Sequence, residues 1–264
     1  MTHEEYRSDP SLNFSGLKNI LTSPRCFQKL LGESMEETID MRLGTAVHSF
    51  ILEGKKPEYV LRPEFVPGTT DKWHGAKKEC KEWLTAQTLP VLTQDEEDRQ
   101  MRMINALLQD KRAIRLLELC NLREVPVFTE YQGLPFKCRL DAFMLTDGHR
   151  PIIMDLKKTT SAKPRDFRNK VLYDFHYDMQ AQVYRNLVAL KYGMDEPPDY
   201  IWCVVEDSKA AHVQLFGMSE EIEKSGQDKL QKSVDAYKSC IENNEWPGYE
   251  YWSDSANEDG IIIL

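Results

Sequence analysis

The chain has 264 residues, of which 41% are hydrophobic and 29% charged, and its formal net charge is −9. This length suits one large domain with its own core. No apolar run approaches the roughly 18 residues that span a bilayer, and the first residues lack the basic and apolar regions of a secretory signal, so we expect a cytoplasmic protein.

Cysteine usage and charge exclude further classes. The six cysteines form no Cys-x-x-Cys pair, which argues against a zinc ribbon, an iron–sulfur cluster and a disulfide framework. An acidic protein does not coat DNA with a uniformly basic surface, so any DNA-binding charge has to be local. One stretch, 157–170, is strongly basic, with Asp166 as its single acidic residue. Its basic residues are Lys157, Lys158, Lys163, Arg165, Arg168 and Lys170. The alternative for this run is a solvated face.

The first part of the chain, 1–120, is predicted to be mainly helical. Ser15 is placed to cap one helix, and Ser23 with Pro24 to start another. Gly54 is placed to end a third helix, and 57–75 has the composition of a loop. Apolar residues at helical spacing predict helices over about 9–31 in two pieces, 35–54, 75–86 and 94–118.

The second part, 121–243, is predicted to be a sheet with two helices, followed by an acidic, aromatic tail over 244–264. Expected strands cover Glu124–Tyr131, Leu134–Leu145, Pro151–Lys157, Tyr200–Glu206 and His212–Gly217, and expected helices cover about 178–192 and 219–243. This order predicts one α/β domain over 1–264 with an N-terminal helical part.

Charged residues interrupt the second predicted strand. Lys137, Arg139 and Asp141 share one face, because side chains alternate along a strand. Unpaired charges are costly to bury, so these residues either pair with one another or face a polar site. For Asp141 alone, a salt bridge to a neighbouring arginine is the alternative.

The third predicted strand ends in Asp155-Leu156-Lys157, after an apolar run. This places Asp155 and Lys157 on one face at the rim of the sheet. Magnesium prefers oxygen ligands and often takes only one or two carboxylates from the protein. Asp141, Asp155 and the Leu156 carbonyl form such a set, and Lys157 is placed to contact a water or a phosphate. The pattern by itself is only moderately specific, because Asp-x-Lys is common by chance.

Three weaker signals accompany this pair of carboxylates. His48 follows Gly44 by one helical turn, although a lone histidine on an apolar helix face is more often a core residue. Gln180 and Tyr184 also share a helix face, which alternatively faces solvent. Glu124 is at the start of the first predicted strand. Its side chain either reaches the sheet edge where Asp141 and Asp155 are expected or belongs to no site.

In chain order these motifs resemble the PD-(D/E)xK nuclease superfamily, and specifically its RecE-type (exonuclease VIII) branch with RecB-like motifs. The matching positions are Gly44 and His48, Glu124, Asp141, Asp155 with Lys157, and Gln180 with Tyr184. Further similarity lies in Leu12–Ser15, Ser23–Pro24, Arg62–Phe65 and Glu242–Pro247. Leu140 stands where the family often has proline, and the loop after Phe65 lacks the expected basic segment.

The resemblance implies a central mixed β-sheet flanked by helices and a site for one or two Mg²⁺ or Mn²⁺ ions. The implied metal ligands are His48, Asp141, Asp155 and the Leu156 carbonyl. Lys157 would position the water nucleophile, Glu124 would assist through a water, and Gln180 and Tyr184 would support the site or contact DNA. The expected DNA-binding residues are Lys158, Lys163, Arg165, Arg168 and Arg139.

By the same resemblance, the protein is expected to be a bacterial or phage-encoded exonuclease. It would digest one strand of linear double-stranded DNA from the 5′ end, as a homotetrameric ring with an acidic exterior, together with a single-strand annealing protein in recombination. Two alternatives remain at this point. One is a RecB-like nuclease of other polarity or an endonuclease, and the other is a non-catalytic module that binds DNA ends.

Overall fold

The computed structural model describes residues 3–32, 37–146, 148–255 and 261–262. The strands of these residues form two sheets, a parallel pair of two-residue strands and a five-stranded sheet in which strand order follows chain order. The strands are β1 (Val60–Leu61), β2 (Val91–Leu92), β3 (Leu122–Tyr131), β4 (Leu134–Met144), β5 (Ile152–Thr159), β6 (Asp199–Glu206) and β7 (Val213–Gly217). β3, β4 and β5 form an antiparallel meander, β6 runs parallel to β5, and β7 is antiparallel to β6. The predicted mixed sheet is therefore confirmed.

Helices surround this sheet. The α-helices are α1 (His3–Ser8), α2 (Phe14–Leu17), α3 (Pro24–Leu30), α4 (Ile39–Glu53), α5 (Lys78–Thr85), α6 (Gln94–Gln109), α7 (Lys111–Leu119), α8 (Pro164–Asn169), α9 (Tyr177–Tyr192) and α10 (Glu220–Asn243). A π-helical turn, Lys170–Asp174, continues α8, and short 3₁₀ turns cover Lys18–Leu21 and Tyr249–Trp252. Among the described residues, no helix is both long and apolar enough to cross a membrane.

Capping residues determine where several helices begin and end. Thr38 caps α4 by accepting a hydrogen bond from the Met41 amide, and Gly54 ends that helix in the left-handed conformation with φ 67°. The predicted stop at Gly54 is confirmed, whereas residues 35 and 36 of the predicted helix lie outside the described residues.

Two details of the helical prediction are wrong. The helix predicted over 94–118 is broken at Asp110, whose side chain accepts hydrogen bonds from the amides of Arg112 and Ala113 and so starts α7. An aspartate competes in this way for backbone donors and favours a helix start over a helix interior. Near the N-terminus, Asn13 rather than Ser15 caps α2, by accepting a hydrogen bond from the Gly16 amide. Ser23 caps α3 as predicted, with Pro24 in its first turn.

The sheet separates two apolar clusters, one on each face. In β6, Trp202 and Val204 lie in the cluster beneath α9 and α10, whereas Cys203 and Val205 lie in the cluster beneath α4, α6 and α7. This division follows from the alternation of side chains along a strand. Both faces of the sheet are covered.

The prediction that the third strand ends at Lys157 is wrong, because β5 continues to Thr159 and pairs with β6 over its whole length. Asp141 and Asp155 instead lie where β4 and β5 stop pairing.

The tail also packs onto this body. The Trp252 indole donates a 2.8 Å hydrogen bond to the Ile20 carbonyl, which joins the C-terminal 3₁₀ turn to the N-terminal region. Of the final Ile-Ile-Ile-Leu segment, Ile263 and Leu264 lie outside the described residues.

Candidate active site

Asp141 lies where β4 and β5 separate. The last paired residues are Ala142 and Met154, and beyond them the Asp141 side chain takes the place of a strand partner. Its Oδ2 accepts a 2.8 Å hydrogen bond from the Leu156 backbone amide. The carboxylate is thereby fixed between two strands, with its other oxygen, Oδ1, turned to the histidine of α4.

His48 comes to this carboxylate from α4, far away in the chain. Its Nε2 lies 3.0 Å from Asp141 Oδ1, and its Nδ1 lies 3.5 Å from Glu124 Oε1. Burial opposes protonation, but the charges of Asp141 and Glu124 outweigh it and raise the pKa of His48. A Cβ at Gly44, one turn before His48, would meet the Lys158 Cδ at an ordinary 3.8 Å, so packing against Lys158 does not require a glycine there.

Glu124 adopts an uncommon backbone conformation inside β3, with φ 51°. A non-glycine residue in this region costs on the order of 1–3 kcal/mol and often marks a functional site. Its Oε2 forms an ion pair with Arg139, whose Nε lies 2.9 Å away. Its Oε1 is buried and accepts no hydrogen bond from the described residues. Burial raises the pKa of Glu124, against the attraction of His48 and Arg139.

Asp155 and Lys157 form a buried ion pair on the next strand. Lys157 Nζ lies 2.5 Å from Asp155 Oδ2 and 4.7 Å from the centre of the Tyr177 ring. Burial raises the pKa of Asp155 to about 6, although Lys157 opposes the shift. Burial would lower the pKa of Lys157, but Asp155 and Tyr177 outweigh it and raise the pKa, so the amine is held as an ammonium group.

Gln180 and Tyr184 approach the site from α9, one turn apart. Gln180 Nε2 donates a long, 3.4 Å hydrogen bond to Asp155 Oδ1. Tyr184 lines a cavity of about 400 Å³ together with His48 and Asp141. Burial raises the pKa of Tyr184 well above its usual value, so its hydroxyl stays protonated. Every side chain predicted for the catalytic group therefore lies around the rim of β4 and β5.

The arrangement provides a donor set for a hard divalent metal ion. Among the described residues, His48, Glu124 and Asp141 each offer one ligand atom, and these atoms lie within 4.8 Å of one another. Glu124 Oε1 is buried and accepts no hydrogen bond from the described residues, and its cationic neighbour His48 Nδ1 lies 3.5 Å away. Buried anionic oxygens without donors fit a cation with a preference for oxygen. The sequence predicted Asp155 as the third side-chain ligand beside His48 and Asp141. In the structure Glu124 joins these two residues, and Asp155 forms an ion pair with Lys157.

The residues predicted to bind DNA occupy different environments. Lys163 and Arg165 are exposed at the start of α8. Lys158 is largely buried and pairs with Asp40 at 2.9 Å and Asp207 at 3.0 Å. Its charge is therefore compensated within the fold.

Two more of the predicted DNA-binding residues have carboxylate partners. Arg168 lies 2.6 Å from Glu221, and Arg139 is paired with Glu124. The basic run is thus less cationic at the surface than its sequence indicates, and its role in DNA binding stays a prediction.

A buried lysine beside the site was not predicted to have a role. The Lys137 amine donates 2.6 Å hydrogen bonds to the carbonyls of Tyr6 and Asp9, and lies 4.8 Å from the centre of the Tyr6 ring. Lys137 and Arg139 thus anchor α1 over the cavity that contains Asp141. The charge pattern of β4 showed that a partner was needed, but only the chain path shows that α1 provides it.

Comparison with known proteins shows the family and the fold of the chain. The model of the family described as "PDDEXK-like domain of unknown function (DUF3799)" matches residues 13–256. No curated protein matches the chain. The crystal structure of a protein from Eubacterium rectale, named as a putative exonuclease, is 16% identical, with a TM-score of 0.64 over 96% of this chain and 91% of that one. The structure of SSO0001, 15% identical over 70% of this chain and 84% of that one, has a TM-score of 0.29, too low to support an argument.

Proposed function

The chain belongs to the PDDEXK-like domain family DUF3799, and on that premise we propose that it is a metal-dependent exodeoxyribonuclease that degrades one strand of linear double-stranded DNA, from 5′ to 3′. The family match and the shared fold support a nuclease. One observation carries the catalytic part of the proposal. The His48 imidazole and the carboxylates of Glu124 and Asp141 converge beside the Asp155–Lys157 pair.

A divalent ion is the cofactor that this donor set fits, and nucleases of this superfamily generally use one. His48, Glu124 and Asp141 would hold it. Asp155 and the Leu156 carbonyl, the other ligands that the resemblance implies, are proposed as additional ligands. When bound, Mg²⁺ or Mn²⁺ supplies Lewis acidity toward the phosphate and a more acidic water.

The remaining residues orient the reacting groups. Lys157 carries a positive charge at the site rim, where it would position the water nucleophile and offset negative charge on the phosphate. Asp155 fixes the direction of that ammonium group, and Gln180 donates to the other Asp155 oxygen. Arg139 Nε lies 2.9 Å from Glu124 Oε2 and would fix the direction of that carboxylate.

The wider role rests on the resemblance to RecE-type nucleases. We propose a tetrameric ring that degrades DNA ends for recombination with a single-strand annealing protein. The net charge of −9 suits a ring whose acidic surface faces outward. The structurally similar protein from Eubacterium rectale is named a putative exonuclease, which supports the proposal of action at ends.

Digestion of linear duplex DNA labelled at either the 5′ or the 3′ end tests the proposal. We expect Mg²⁺-dependent release of mononucleotides from the 5′ label, no release in EDTA, and no cleavage of closed circular DNA. Release from the 3′ label or cutting of circles would favour the related nuclease of other polarity or an endonuclease. Binding of ends without any hydrolysis would indicate a non-catalytic module.

A further inference from the structure

A second cavity, of about 550 Å³, is lined by Lys157 but not by His48, Glu124 or Asp141. Its lining combines lysines, hydroxyls and aromatic rings, and we name it the Phe175 cavity. The residues that define it are Thr38, Asp40, Met41, Gly44, Lys157, Lys158, Thr159, Thr160, Lys170, Asp174, Phe175 and Tyr177. The catalytic group described above uses only Lys157 from this set.

An irregular stretch of backbone presents Phe175 to this cavity. The π-helical turn Lys170–Asp174 closes with a 3.0 Å hydrogen bond from the Phe175 amide to the Lys170 carbonyl. His176 then takes a left-handed conformation, with φ 54°, before α9 begins. π-Helical turns and left-handed non-glycine residues are uncommon and concentrate at functional sites. At this irregular stretch Phe175 stays 43% exposed and lines the cavity together with Lys157.

The Phe175 ring is part of a stack that leads to the catalytic lysine. It lies parallel to Tyr177, with ring centres 5.3 Å apart and an angle of 18° between planes. The Tyr177 ring in turn lies 4.7 Å from the Lys157 ammonium group. A flat group placed on the free face of Phe175 would therefore be separated from Lys157 by the rings of Phe175 and Tyr177.

Lys170 brings an available positive charge to the same cavity. Its amine donates to the hydroxyls of Thr159 and Thr160, at 2.5 and 2.9 Å. Within the described part of the chain, no carboxylate lies at ion-pairing distance from it. Lys158 differs, because Asp40 and Asp207 already compensate its charge. Lys170 is thus the cation of this cavity best placed to meet an anion.

We propose that the Phe175 cavity binds an unpaired nucleotide of the substrate, with its base stacked on Phe175 and its phosphate at Lys170. A base offers its face to a side chain only when it is unpaired or at a strand end, and stacking on an aromatic ring together with a backbone-tracking cation is how proteins hold single strands. This inference rests on the proposed nuclease function and adds that the strand end is separated beside Lys157.

Binding measured in EDTA tests the inference without hydrolysis. The probe is a single-stranded oligonucleotide with one 2-aminopurine near its end. We expect quenching of its fluorescence by the wild-type protein. Phe175→Ala should weaken binding by about 5- to 150-fold and abolish the quenching, as for the loss of one base stack.

Matched variants separate stacking from a general loss of structure. Phe175→Trp should retain affinity and quenching, because it keeps an aromatic ring. Tyr173→Ala removes a neighbouring ring that is 66% exposed and outside the cavity, and it should bind as the wild type does. Lys170→Gln should weaken binding and reduce the salt slope by about 0.7, the value for one phosphate contact of a single strand. Wild-type affinity and quenching in Phe175→Ala would overturn the inference.

Hydrolysis in Mg²⁺ separates this inference from the proposed function. Duplexes with mismatched ends should have a lower KM than fully paired ones for the wild type, and this preference should vanish in Phe175→Ala. A wild-type protein without hydrolysis but with Phe175-dependent quenching would contradict the nuclease and leave the stacking site standing. Hydrolysis with the same preference for mismatched ends in Phe175→Ala as in the wild type would support the nuclease and contradict the stacking site.

Discussion

The carboxylate of Asp141 accepts a 2.8 Å hydrogen bond from the backbone amide of Leu156, at the point where β4 and β5 stop pairing. One oxygen of a single side chain thus replaces a link of the sheet, while the other lies 3.0 Å from His48. We therefore expect Asp141 to have a structural role and a chemical role that substitutions can separate.

Asp141→Asn and Asp141→Ala should differ in stability and agree in activity. The asparagine carbonyl can still accept from the Leu156 amide, whereas alanine leaves that donor unpaired, at a cost of about 1–3 kcal/mol. Both variants lose a charged ligand and should lose nearly all hydrolysis. Urea denaturation and digestion of end-labelled DNA measure the two properties, and equal unfolding midpoints for both variants would contradict the structural role.

Lys157→Ala should lower kcat by about 10²–10³-fold or more, because a positive charge aimed at the reacting phosphate is lost. Binding of Mg²⁺ and DNA should be largely retained. Lys157→Gln, which keeps a polar side chain of similar length, should be equally inactive, and circular dichroism of both variants checks that they fold. The exposed Lys238→Ala is the control for removal of a lysine. A Lys157→Ala protein that digests DNA at the wild-type rate would refute the site.

Lys163 and Arg165 should contribute to the salt dependence of DNA binding, because both are exposed. Replacing both with alanine should reduce the slope of log K against log salt by up to about 1.8 in duplex binding, or about 0.9 for each phosphate that is no longer neutralised. Arg168→Ala should change the slope less, because Glu221 already compensates that charge. If Arg168→Ala reduced the slope by as much as each of the other two replacements does, the ion pair between Arg168 and Glu221 would not be maintained in solution.

Asp207 should stabilise the fold in a pH-dependent way. Burial opposes its ionisation, but Arg99 and Lys158 outweigh burial and lower the pKa of Asp207. The stabilisation is therefore complete above the unfolded pKa of about 3.9 and is lost as the pH falls through the lower, folded value. Only 4% of its side chain is exposed, so Asp207→Asn should cost about 3 kcal/mol at neutral pH.

Urea denaturation at several pH values measures this contribution. The difference between wild type and Asp207→Asn should be constant above about pH 5 and shrink in more acidic solution. Asp195→Asn, at an exposed position, is the control. A difference that persists unchanged down to pH 2 would show that the charge of Asp207 is not its cause.

Gly226 should be required for the close packing of α9 against α10. A Cβ at this position would lie 2.3 Å from the Asp178 carbonyl oxygen and 2.9 Å from the Gln182 Cγ. Because the first of these atoms is backbone, the helices would have to move apart, and Gly226→Ala should destabilise the protein by about 1–3 kcal/mol or more. At Gly75 a Cβ would meet nothing within 4 Å, so Gly75→Ala should leave the unfolding midpoint nearly unchanged.

Much of the fold could be predicted because its signals are local. Apolar alternation located the strands that became β3 to β7, and Gly54 and Ser23 marked helix ends through their own backbone and side-chain preferences. The break at Asp110 and the cap at Asn13 were missed, since several polar residues competed for each position. The turn at Lys170–Asp174 was hidden within a basic run, where apolar periodicity is weak.

The candidate site divides in the same way. By itself, the sequence determined the residue types and the order of the motifs, from His48 through Asp141 and Asp155-Leu-Lys157 to Gln180, and with them the family. Those motifs each lie within one turn of helix or one strand, where spacing defines which side chains share a face.

Only the tertiary structure decided which of these residues meet. Glu124 joins His48 and Asp141, Asp155 pairs with Lys157, and Lys158 is neutralised inside the fold. These choices depend on how strands separate at their ends and on which remote helix covers them. Packing and desolvation between distant segments set those energies, and no local pattern of residues encodes them.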